Sequence, residues 1–70
     1  MKRKALVKIA FTNLNGDYID DINEGSEFTI EKVNSDTEKC MCYNNRLYFQ
    51  LSVNVIQLFT KEVIEDEQRT

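Results

Sequence analysis

The sequence predicts an all-β domain, a small barrel of about five strands, on three observations. Residues 3 to 13 alternate almost strictly, with Ala5, Val7, Ile9 and Phe11 on one face and Lys4, Leu6, Lys8, Ala10 and Thr12 on the other. A glycine turn at Glu24-Gly25 feeds a second alternating run, in which Phe28 and Ile30 oppose Glu27, Thr29 and Glu31. Two further short runs flank Asn44-Asn45, a pair whose side chains tolerate left-handed backbone. A period of two marks a half-buried strand, and several such strands on one short chain call for a curled sheet around a shared core.

Taken in order, the first strand ends at Asn15-Gly16, where both residues accept the positive φ of a type I′ turn, so the chain should reverse there into a wide hairpin. Asp17, Asp20, Asp21, Glu24, Glu27 and Glu31 follow, interleaved with Tyr18, Ile19 and Ile22, and no Lys or Arg occurs between Lys8 and Lys32. Asn34-Ser35-Asp36-Thr37 reads as a loop. If Asn44-Asn45 is the next turn, Cys42 faces Leu47 and Cys40 faces Phe49 in the core, while Met41 faces Tyr48 and Tyr43 faces Arg46 outside. Ser52-Val53-Asn54 breaks the alternation as a short helical turn, and Val55 to Phe59 reads as a final strand. Phe59, Val63 and Ile64 allow one more helical turn near the C-terminus. Residues 1–60 are thus expected to form one domain and 61–70 an acidic, frayed tail.

Seventy residues support one small core with a net stability of only ~3–5 kcal/mol, and leave no room for a large concave active site. A net charge of −3 opposes general affinity for nucleic-acid backbones or anionic lipid. No apolar run approaches the ~18 residues of a membrane span, and the basic start leads into alternation where a secretory signal would be continuously apolar. A cytoplasmic location is the expectation. Cys40 and Cys42 lie two apart on a predicted strand, so their side chains project in parallel and read as free thiols in a reducing compartment. Abundant Asn, Lys, Ile, Glu and Asp, with no Pro, His or Trp, is the composition of AT-rich genomes and points to a low-GC bacterium, phage or plasmid.

Catalysis by the usual routes is not expected, because a chain without histidine cannot build a Ser-His or Cys-His couple. Nor is a cofactor or a metal. Cys40-Met41-Cys42 supplies two thiolates where structural zinc takes four ligands. Asn13 to Asp17 has its glycine two positions early for a calcium loop and lacks the closing glutamate, so it reads as a turn.

The order of the elements resembles the Src homology 3 type of small β-barrel. The match is carried by Ala5-Leu6 opening the first strand, by Glu24-Gly25 with Phe28-Thr29-Ile30-Glu31-Lys32, and by Leu51-Ser52-Val53-Asn54-Val55-Ile56-Gln57-Leu58, which is similar to the family's closing segment. The resemblance covers residues 4 to 59 and implies the scaffold. Peptide-binding members use an aromatic groove for proline-rich ligands; the corresponding places here hold Val7 and Ile9, Lys39 to Met41, then Ser52 and Val55. The acidic hairpin that reads a basic ligand residue in that family is retained, with Asp20 and Asp21 as nearest equivalents.

The functional expectation is a non-enzymatic interaction module, an adaptor or inhibitor that binds another protein with a basic surface. A protein that itself handles nucleic acid is one such partner, with the carboxylates imitating phosphates. Asp17, Tyr18, Asp20, Asp21, Glu24 and Glu27 would select that partner, and Met41, Tyr43 and Tyr48 would add apolar contact. A negative loop serving solubility alone is the plainer reading. The alternative function is nucleic-acid binding through Lys2, Arg3, Lys4, Lys8 and Arg46 with the hairpin tyrosines, provided the sheet gathers them on one face away from the acidic loop. Self-association through the Met41 and Tyr48 face is a third.

Overall fold

Alternating segments joined by Asn- and Gly-bearing turns build a single antiparallel sheet, and residues 1–45 and 47–64 are described by the computed structural model. In chain order the elements are β1 (Lys2–Ala5), β2 (Ile9–Thr12), β3 (Tyr18–Ile22), β4 (Glu27–Asn34), β5 (Lys39–Asn44), β6 (Leu47–Ser52), α1 (Val53–Phe59) and β7 (Thr60–Glu62). The strands line up as β3-β2-β6-β5-β4-β1-β7, a curled half-barrel whose end strands, β3 and β7, each have one neighbour among the described residues. Phe49 is fully buried at the centre, with Phe11 at 4.5 Å and Phe28 at 5.7 Å between ring centroids.

The strand count is seven where five were expected, because the first alternating run is two strands and the acidic segment after it supplies β3. β1 pairs with β4 and β7, whereas β2 pairs with β3 and β6. Between them the chain turns a corner at Leu6 to Lys8, with the Leu6 N–H donating to the Phe59 carbonyl at 2.8 Å. A curled sheet needs such corners, and alternation continues across them unmarked. Val7, expected inside with Ala5, Ile9 and Phe11, is exposed as a result.

The turn at Asn15-Gly16 is not type I′. Only Gly16 has positive φ (94°), and its N–H donates to the Asn13 carbonyl at 3.0 Å, giving a three-residue loop. The Asn13 side chain decides this by accepting from the N–H groups of Asn15 and Asp17, at 2.8 and 3.0 Å. A similar asparagine device holds the β4–β5 turn, where Asn34 Oδ1 accepts from the Asp36 and Thr37 amides.

Pairing in the β5–β6 hairpin runs two positions later along β6 than expected. Cys42 faces Phe49, Cys40 faces Leu51, Met41 faces Gln50, Tyr43 faces Tyr48 and Asn44 faces Leu47. Asn45 is the left-handed residue, with φ 58°. The faces are unchanged by this shift, so Cys40, Cys42 and Phe49 remain core, but Leu47 is 44% exposed.

Val55 to Phe59 is helix and not strand. Ser52 caps α1, its Oγ accepting from the Val55 N–H at 3.1 Å, and Ile56 is the buried residue of the helix. The final strand is β7, antiparallel to β1, so Lys61 and Glu62 belong to the sheet. Val63 and Ile64 are not helical, and the Val63 N–H donates to the Lys2 carbonyl at 2.9 Å. Residues 65–70 of the expected tail lie outside the described residues.

Candidate functional site

Asp17, Tyr18, Asp20, Asp21 and Glu24 occupy β3 and its two flanking turns, at one end of the sheet. Tyr18 is 63% exposed and donates from its hydroxyl to Asp21 Oδ1 at 3.3 Å. Local desolvation, the charge of Asp21, that hydrogen bond and the charge of Asp20 together raise the Tyr18 phenol above its ordinary value. Asp21 meets Lys8 at 3.8 Å and Glu27 meets Lys2 at 3.7 Å, both at the solvent face, where such pairs contribute little. Asp17, Asp20 and Glu24 make no ion pair among the described residues. They form the uncompensated part of the acidic hairpin.

Two concavities flank this hairpin. One, of about 430 Å³, lies between Asp20, Asp21 and Ile22 on β3 and Asn44, Asn45 and Leu47 at the β5–β6 tip. The other, of about 300 Å³, has mostly apolar walls and is lined by Val7, Lys8, Ile9, Ala10, Val55 and Phe59. It exists because the chain corner and α1 sit side by side. Lys8 on its rim is the partner of Asp21, and Ala10 is paired with Asp21 across the β2–β3 ladder, so the apolar groove adjoins the acidic hairpin.

The sequence reading missed this groove. Alternation places Val7 in the core and Val55 to Phe59 in a strand, which conceals that they line one groove. The available signal was the family resemblance itself, since Val7, Ile9 and Val55 are the positions it maps onto a peptide groove.

Met41, Tyr43 and Tyr48 lie on the outer face of β5 and β6, with β2 between them and β3. The two tyrosine rings are cross-strand neighbours at 5.5 Å, and Tyr48 is 47% exposed. Among the basic candidates, Lys2 and Lys4 share that outer face, as their pairing with Thr29 and Glu27 shows. Arg3 points inward. Its Nε donates to Thr60 Oγ1 at 2.9 Å and its Nη2 to the carbonyls of Ile56 and Thr60 at 3.2 and 3.0 Å, so the guanidinium ties β1 to the end of α1. Arg46 lies outside the described residues.

Cys40 and Cys42 are both buried and free. Burial, with a smaller contribution from Cys40, pushes the Cys42 thiol up to about 12. Burial also raises Cys40, opposed by the charge of Arg3. Among the described residues no group of three or more Cys, Asp or Glu is placed to hold a metal ion, and no helix is long and apolar enough to cross a membrane. Comparison with protein-family models, curated proteins and solved structures finds no match for this chain.

Proposed function

We propose that this chain is a non-enzymatic protein-interaction module on a Src homology 3-like scaffold, acting as an adaptor or inhibitor. Its connectivity supports the scaffold: a hairpin inserted between β1 and β4, a β4–β5–β6 meander, a helical turn, and a closing strand antiparallel to the first. The observation that carries the function is the groove. Val7, Ile9 and Val55, which stand at positions corresponding to the family's peptide groove, line one apolar concavity beside the acidic hairpin. Its size is at the low end for ligand sites, enough for one or two side chains. Walls that are mainly aliphatic, with Phe59 the one aromatic residue in the lining, favour an aliphatic side chain over stacked prolines. The carboxylates beside it favour a neighbouring Lys or Arg.

Selection of a random peptide library on the immobilised protein should enrich segments that place Lys or Arg next to Val, Ile or Leu. Changing Asp20 and Asp21 to Asn should weaken the selected peptides about tenfold and flatten their salt dependence. Val55→Ser should weaken them without changing the salt dependence. Enrichment of acidic segments, or affinity indifferent to both changes, would overturn the reading.

A further inference from the structure

The acidic balance of the whole chain hides a gathering of its lysines, which shares its strands and turn with Glu27, Glu31, Asp36, Glu38 and Glu62. Directly opposed residues in an antiparallel ladder share a face, so the registers fix which side chains look outward. Tyr43 pairs with Tyr48 on one side and Thr29 on the other, and Thr29 pairs with Lys2. One lateral row across four strands is therefore Lys2, Thr29, Tyr43, Tyr48. Above it Lys32 pairs with Met41, and Lys39 follows two residues before Met41. Below it Lys4 pairs with Lys61. Five of the chain's six lysines thus stand on the outer face of this half-barrel. Glu27 and Glu31 are the carboxylates on the same stretch of β4, and Glu27 is matched by Lys2 at 3.7 Å.

We infer that this outer face is a second binding surface, distinct from the groove, and that its ligand is single-stranded nucleic acid. The gathered lysines provide phosphate contacts, and at moderate ionic strength charges beyond about 10 Å are screened, so the distant acidic hairpin and the net −3 weigh little on this face. The tyrosines distinguish a nucleic acid from other polyanions. Two rings side by side at 5.5 Å, Tyr48 exposed and Tyr43 half-buried, bordered by Met41 and lysines, offer π-faces on which unpaired bases stack. A duplex keeps its bases stacked inside and cannot use them.

The probe is a fluorescein-labelled oligothymidylate of about a dozen nucleotides, followed by anisotropy at about 20 mM salt. Saturable binding is expected, accompanied by quenching of tyrosine fluorescence, which is readable because the chain has no Trp. Tyr48→Leu keeps a strand-compatible apolar residue but removes the ring, and should weaken binding about tenfold. Lys32→Glu with Lys39→Glu should weaken binding and lower its salt slope. Asp20→Asn with Asp21→Asn, which tests the groove reading, should leave it intact or tighten it. The inference is overturned by the absence of saturable binding at low salt, or by Tyr48→Leu binding as wild type. Equal affinity for a matched duplex, polyglutamate or anionic vesicles would also overturn it, as would sedimentation showing that a second copy covers Tyr48.

Discussion

Cys42 is completely enclosed, and its thiol is pushed from an ordinary 9.0 to about 12, chiefly by burial. In the unfolded chain the same thiol ionises near its ordinary value. Between those two values the unfolded state releases a proton that the folded state keeps, so stability falls as pH rises. The contribution is fully present below about pH 9 and is lost on approaching pH 12. Urea midpoints should therefore drop across that interval, and Cys42→Ala should flatten the drop. The same enclosure makes native Cys42 slow toward alkylating reagents. Arg3 makes a different point about single residues: it sits in a basic cluster by sequence, yet its donors are spent on the Ile56 and Thr60 oxygens. Neighbours in sequence do not reveal which cation turns inward.

The decisive element is α1. Seven residues are too few to be helical on propensity alone, so this helix depends on its ends. Ser52 Oγ holds the Val55 amide at one end and Arg3 holds the carbonyls at the other. Ser52→Ala should cost about 1 kcal/mol of unfolding free energy, with Ser52→Asp recovering most of it. Because Val55 and Phe59 line the groove, the Ala variant should also weaken whatever peptide the groove selects; unchanged chemical shifts at Val55 and Phe59 would refute that link. β-branched and aromatic residues in Val53 to Phe59 argue for strand, and the tertiary position of the segment overrides that preference. The cap residue was visible in the sequence as the break at Ser52-Val53-Asn54; the length of the helix behind it was not.

For the molecule as a whole, one aromatic centre holds the sheet together. Phe49 touches Phe11 from β2 and Phe28 from β4, strands that have no direct pairing with each other. Removing it should cost about 3–5 kcal/mol, as much as the whole stability expected of so small a domain. Phe49→Ala should accordingly be largely unfolded by circular dichroism at room temperature. The inward set of Phe28, Ile30, Cys40, Cys42 and Phe49 was legible in the sequence because period two survives any register. Strand breaks and turn types were not, because corners and asparagine side-chain bonds leave the alternation untouched. The acidic hairpin was legible as a charge run. The outer lysine face was not, since its members come from four strands and only the ladder brings them together.

An unclosed sheet ordinarily invites further strands to join. At β3 the invitation carries a condition. Two copies meeting along that strand would bring Asp20 and Asp21 of each against the other, so like repels like before any amide can pair. The carboxylates to which we assign a cationic partner thereby also oppose edge-to-edge pairing of identical chains, an opposition that holds only while their charge remains.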